Sequence, residues 1–398
     1  MATSLKPVAL DTVAILERLV GFPTVSRDSN LPLIDWIRNY LADHGVDSQV
    51  IHDDTGRKAN LLASIGPPVE GGIVMSGHSD VVPVDGQKWR SDPFALTARD
   101  SRLYARGSCD MKGFIATALS RVPSLVGTKL TRPVHLMFSY DEEVGCLGAP
   151  RMIAAAREKI GAPAAVIVGE PTSMRVANEH KGICTARTRV TGIEAHSSLT
   201  HQGVSAVMLA AELIDHLAGV AKRLADMPRA ERARRFNPPF TSTSVNTIQG
   251  GTATNILAAG CEFTWDVRSL PGERAASIME DFVERCKQRL AELEASGKRC
   301  DIQTTVLADV PPLEADAGAG GPGTAEALAH AVSEIVLESI TVPFATEGGQ
   351  FQRAGWSTVV CGPGSIEQAH KPDEFIERAE LQACEAFLDR MVDRQCRG

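Results

Sequence analysis

The hydrophobic residues of this chain come in short blocks, and the blocks change style twice along the sequence. In the first third, apolar runs at 60–65, 72–76, 134–140 and 164–168 are bounded by Gly, Pro or charge, and read as buried strands. Between them, segments 13–19, 31–44, 112–122 and 148–157 carry apolar residues at helical spacing. Pro32 sits where a helix start tolerates proline, and Gly45 follows the end of that helix. Helices between buried strands predict an α/β fold, a mostly parallel sheet with helices on both faces.

Near Lys181 the style changes. Residues 182–191 alternate like a half-buried strand, and 204–225 form a long amphipathic helix. A basic, proline-punctuated loop spans 227–239. Strands at 242–249 and 261–268, a charged helix at 273–296 and a strand at 301–307 follow. That β-α-β-β-α-β order is the ferredoxin-like arrangement. The tail then returns to the first style, with a Gly-rich loop at 317–324, helices at 326–338 and 380–394, and a strand at 358–361. The pattern predicts one domain built from both ends of the chain, 1–180 and 309–398, interrupted by a second at 181–308. A length of 398 residues suits two domains at roughly 100–200 residues each.

Composition narrows the function. With 41 basic against 49 acidic residues the formal charge is −8, and the basic cluster at 229–235 is broken by Glu231. Nucleic acid is therefore not an expected partner. No apolar run approaches the roughly 20 residues that cross a bilayer, and Asp11 and Glu17 interrupt the first apolar stretch, so neither membrane nor export is expected. Nine scattered cysteines without a CxxC pair fit a reducing cytoplasm and no thiolate metal site.

Polar clusters mark the strand ends. Gly77-His78-Ser79-Asp80, Asp141-Glu142-Glu143, Gly169-Glu170-Pro171 and Ala369-His370-Lys371-Pro372 follow predicted strands, and Ser108-Cys109-Asp110-Met111 precedes a helix. Ligands bind at the carboxyl ends of strands in open α/β sheets. Two histidines among several carboxylates suit Zn²⁺, Co²⁺ or Mn²⁺, in numbers that exceed one tetrahedral shell. Each cluster also has an ordinary reading. A histidine after a strand can be a hydrogen-bonded structural residue, Asp-Glu-Glu a solvated turn, and Asp110 a helix cap. Cys109 beside Asp110 reads as a packed small residue. Spacing alone leaves the metal site and these readings both open.

The segments GHSDVVPV, GSCDMKG, YDEEVG, GEPT and GPGSIEQAHKPDE resemble, in order and over nearly the whole chain, the dinuclear zinc metallo-aminoacylase and metallopeptidase family. That family includes acetylornithine deacetylase, succinyl-diaminopimelate desuccinylase and carboxypeptidase G, and the tail segment is most similar to the first of these. The resemblance implies two divalent ions, Zn²⁺ first and Co²⁺ as a substitute. It implies His78, Asp110, Glu143, Glu170 and His370 as ligands. Asp110 would bridge, His78 and Glu170 would serve one ion, and Glu143 and His370 the other. It implies Glu142 as general base, Asp80 as the carboxylate that orients His78, and a cis peptide after Asp110.

Residues 1–180 and 309–398 then become the metal-binding catalytic domain and 181–308 a lid and dimerisation domain. His196 in EAHSS matches a lid histidine that polarises the scissile carbonyl, typically from a partner subunit. Asn255 and Arg268 match substrate-contacting lid residues, Arg268 being suited to a carboxylate. Glu347 in TEGGQFQ is the candidate partner for a substrate ammonium. The implied activity is hydrolysis of N2-acetyl-L-ornithine to L-ornithine and acetate in arginine biosynthesis, by a cytoplasmic homodimer acting on a small molecule. Another N-acyl amino acid, succinyl-diaminopimelate, a dipeptide, or a non-catalytic binding role are the alternatives.

Overall fold

A computed structural model describes residues 10–315, 317–318, 321–322, 324–335 and 338–397. Parts of the expected Gly-rich loop at 317–324 and of the helix at 326–338 lie outside the described residues, as do the first nine residues. Described residues within Met1–Glu179, Leu313–Thr341 and Thr346–Gly398 form one compact unit, and those within His180–Pro312 and Val342–Ala345 another.

The first unit is built on an eight-stranded sheet. Its centre is four parallel strands, in the spatial order Val134–Ser139, Ile73–His78, Ala165–Pro171 and Thr358–Gly362. These strands are buried along almost their whole length, as strands covered on both faces must be. Antiparallel strands Ala59–Ile65 and Ser48–His52 extend one edge, and short strands Ala177–His180 and Ile340–Val342 the other.

Side chains alternate between the faces. Ile73, Met75, Leu136 and Phe138 join one apolar core with helices Thr12–Val20, Leu31–Asp43, Lys112–Ser120 and Arg378–Cys396. Val74 and Met137, equally buried, fall outside that core, and helix Ala149–Ile160 packs on strands of the same region. The mostly parallel α/β sheet with helices on both faces is therefore the observed fold.

The second unit has a four-stranded antiparallel sheet ordered Ser242–Gly250, Gly260–Ser269, Gly182–Thr191, Asp301–Val310. With helices Ala206–Asp226 and Ala275–Ala295 in chain order, this is the ferredoxin-like β-α-β-β-α-β topology. In Gly182–Thr191 every second residue is buried, so Cys184, Ala186 and Val190 face the helices, with Phe263, Trp265 and Phe282, while Arg187 and Arg189 face outward. No described helix is long and apolar enough to cross a membrane.

Strand ends differ from the sequence reading in a way that matters. Ile73–His78 runs on to include His78, and Ala165–Pro171 includes Glu170. Both residues belong to strands of the sheet, His78 paired with Ser139 and Glu170 at an irregularity just before the Pro171–Gly362 pair, and neither is carried on a loop beyond it.

Candidate metal centre

The C-terminal ends of the parallel strands bring the polar clusters together. His78 is 1% exposed, Asp110 5% and Glu170 4%. The His78 Nε2 lies 3.0 Å from Asp110 Oδ1 and 3.7 Å from Glu170 Oε1. On the other side of Asp110, His370 Nε2 lies 3.4 Å from Asp110 Oδ2 and 3.0 Å from Glu143 Oε2. Two triads result, His78–Asp110–Glu170 and Asp110–Glu143–His370, each with one ligand atom per residue all within 4.8 Å of one another. Asp110 belongs to both, one carboxylate oxygen facing each histidine. The Asp110–Met111 peptide is cis.

Asp80 meets His78 with both its backbone and its side chain. His78 Nδ1 donates to the Asp80 backbone carbonyl at 2.9 Å, while the nearer carboxylate oxygen is 3.6 Å away. That bond fixes the ring with Nε2 directed into the triad. The Asp80 carboxylate also accepts from the backbone N–H groups of Glu142 (3.1 Å) and Glu143 (3.3 Å) and from Ser26 Oγ (2.7 Å). It thus holds the turn that carries the two glutamates. The turn has further anchors that sequence reasoning missed. The Lys58 amine pairs with Asp141 and also bonds the Ser26 carbonyl. Cys146 Sγ donates to Glu142 Oε1 at 3.3 Å. Lys58 and Ser26 lie far from the turn in sequence, and Cys146, four residues after Glu142, carries no motif that announces its role.

Electrostatics show too many carboxylates for the cations present. Burial pushes Glu142 up to about 8, with His78 opposing and the charges of Glu143 and Asp110 adding. Burial and then Asp110 push Glu143 up to about 7, against the hydrogen bond from His370. Burial, followed by the Asp110 charge, drives Glu170 well above the carboxylate range. Burial acts the same way on Asp110, but hydrogen bonds from His370 and His78 outweigh it and hold Asp110 well below the usual value. Hydrogen bonds to Asp110 and Glu143 lift His370 to about 10. For His78 burial works downward, yet its contacts with Asp110 and Asp80 raise it well above an ordinary histidine.

The donor set fits divalent ions. All donors are carboxylate oxygen or imidazole nitrogen, which suits Zn²⁺ and similar cations. Glu143 Oε1 is buried without a hydrogen-bond partner, as a lone pair reserved for an ion would be.

Glu347 is 1% exposed at the start of helix Gly348–Arg353, its Oε2 accepting from Ser76 Oγ at 3.5 Å and its Oε1 unpartnered. Burial pushes its carboxyl up to about 7.

His196, Asn255 and Arg268 belong to the second unit. His196 is exposed, with its Nδ1 2.8 Å from Ser198 Oγ and 3.3 Å from the Ser198 backbone N–H that donates to it. The exposed Asn255 lies beside it, its carbonyl accepting from Ser197 N at 2.9 Å. Arg268 pairs with Asp266 through Nε at 3.2 Å and keeps 39% of its side chain exposed.

Residues 74–394 match the model of peptidase family M20/M25/M40. An acetylornithine deacetylase of Pasteurella multocida (strain Pm70) is 35% identical over 390 residues, 96% of this chain and 97% of that relative. Among solved structures, an M20 family metallo-carboxypeptidase from Sulfolobus solfataricus superposes with a TM-score of 0.76 at 17% identity, over 96% of this chain and 98% of that one. A dinuclear metal-binding M20 peptidase of Bacillus subtilis superposes with a TM-score of 0.62 at 14% identity, over 96% of each chain.

Proposed function

This chain belongs to peptidase family M20/M25/M40, and from that premise we propose that it is a metal-dependent hydrolase of linear amides that removes the acyl group from an N-acyl amino acid, N2-acetyl-L-ornithine first. The observation that carries the reading is the pair of ligand triads sharing Asp110. His78 and Glu170 would hold one divalent ion, Glu143 and His370 the other, with Asp110 between them. Zn²⁺ is the first candidate by ligand type and Co²⁺ the substitute.

When bound, such ions polarise a carbonyl and lower the pKa of water toward about 7. The chain's own residues would do the rest. Glu142 would take the proton from the attacking water and later return it to the leaving amine. The Asp80 carboxylate supports this by fixing the Glu142 backbone N–H, and Cys146 by holding Glu142 Oε1. His196 would donate to the developing oxyanion. The Arg268 fork would meet the α-carboxylate, with the side-chain amide of Asn255 beside it. The unpartnered Glu347 Oε1 would meet a substrate ammonium.

A cytoplasmic homodimer is part of the same reading. All nine cysteines are free, and Ser242–Gly250 is an edge strand with Ile248 55% exposed. The test is a panel of N-acyl amino acids, succinyl-diaminopimelate and dipeptides, run on protein of measured metal content. Fastest turnover of N2-acetylornithine, abolished by chelator and restored by Zn²⁺ or Co²⁺, is the expected outcome. Turnover that ignores the chelator would overturn the reading.

A further inference from the structure

The two triads are not supported alike. His78 and Glu170 stand on strands of the central sheet. His370 stands on a loop, with a backbone φ of 62° and 53% of its side chain exposed. Ring packing therefore does little to hold it, and its backbone needs a tether.

A buried network supplies one. Arg106 and Glu374 are each 1% exposed and paired, Nη1 to Oε2, at 2.5 Å. Glu374 Oε1 accepts from the backbone N–H groups of Cys109 (2.9 Å) and Asp110 (3.1 Å). Arg106 Nη1 also reaches the Lys371 carbonyl at 3.4 Å, and its Nη2 donates to Gln87 Oε1 at 2.7 Å. Trp89 Nε1 donates to the same oxygen at 3.0 Å. Gln87 Nε2 then donates to the His370 carbonyl at 3.0 Å.

We infer that Arg106, Glu374 and Gln87 are positioning residues that lock the backbone of Asp110 to the loop of His370, and so set the affinity of the Asp110–Glu143–His370 position selectively. The inference rests on the two-ion reading above. One end of the network grips the amide of the shared carboxylate residue. The other grips the carbonyls of His370 and its neighbour. The planar guanidinium is needed because one side chain must meet Glu374, Gln87 and a backbone carbonyl in fixed directions, which an ammonium on a flexible stem does poorly. The strand-borne His78 and Glu170 receive no bond from this network.

The test compares wild type with Q87A and R106K. Gln87 is partly buried; Q87A removes the tether to His370 together with the acceptor of Arg106 Nη2, while Arg106 keeps its ion pair with Glu374. Each protein is loaded with Zn²⁺, and the equivalents retained are measured against a graded competing chelator, beside kcat and KM. Wild type should hold two equivalents. Q87A should hold one as wild type does and release the other about 10–100-fold more readily, the usual cost of losing a ligand's supporting bonds; R106K, which also loosens Glu374 on the shared Asp110, should release that same equivalent more readily than the other. Their kcat should fall in proportion to the lost equivalent, with KM little changed.

Variants that hold both equivalents as wild type does overturn the inference, as does equal weakening of both. Wild-type protein that binds fewer than two equivalents overturns the two-ion reading itself, an outcome seen before any variant is made.

Discussion

Loading the chain with two Zn²⁺ at pH 7 should expel more than one proton from the ligands alone. His370, lifted to about 10, is a cation at pH 7 and must give up its proton to offer a lone pair. Glu143, at about 7, is half protonated and must lose the remainder. His78, raised by its contacts with Asp110 and Asp80, and Glu170, pushed up by burial, add to the release. Asp110, held well below the usual value, contributes nothing. Overall affinity should therefore fall by more than one power of ten for each pH unit of acidification below 7. Raising the pH to 8.5 ionises Glu143 beforehand and should lower the count. The assay is calorimetric titration of metal-free protein in two buffers of different protonation enthalpy, the difference in heat giving the protons released. One proton or fewer at pH 7 would refute the reasoning.

The metal-free fold should lose stability as pH rises. Glu142, Glu143, Glu170 and Glu347 all keep their protons in the fold at a pH where the unfolded chain has lost them. The unfolded state binds fewer protons, so stability falls from about pH 4.5 upward, by about 1.4 kcal/mol per pH unit for each such proton. Melting of apo protein from pH 5 to 8 checks this, and a flat or rising profile contradicts it. The E142A enzyme should keep its metal and lose about 100- to 10,000-fold in kcat. Near-normal turnover in the fully loaded variant would remove Glu142 from the proton path. G169A should destabilise by about 1–3 kcal/mol or more, because the new Cβ would lie 2.0 Å from Phe114 Cγ beside Glu170. The penalty should shrink sharply in an F114A background; additive costs in the denaturation cycle would show that the clash is not the cause.

Much of the architecture was legible because period and burial agree. The strand at 182–191 has one face against helices and one toward solvent, so its alternation marks both ends correctly. Buried runs such as Val134–Ser139 announce themselves by apolarity. The strands that escaped notice lack either signal. Ser48–His52 is half-buried up to its exposed last residue, and Thr97–Arg99, Arg102–Tyr104 and Phe375–Glu377 are three residues each. In the site, strand ends and one helix start marked the clusters that hold His78, Asp110, Glu143, Glu170 and His370, and the family resemblance implied these five as ligands; the fold gathers them around Asp110. What holds them was not legible. Arg106 and Glu374 are 268 residues apart, and each looks in sequence like a surface charge. The Asp80 carboxylate bonds backbone N–H groups, a role no side-chain pattern encodes.

The central claim is that Asp110 sits between two ions. Anomalous diffraction from a crystal of the Zn²⁺-loaded protein measures this directly. The account requires two peaks roughly 3.5–4 Å apart flanking Asp110, one against His78 and Glu170 and one against Glu143 and His370. A single peak, or peaks remote from Asp110, would contradict it.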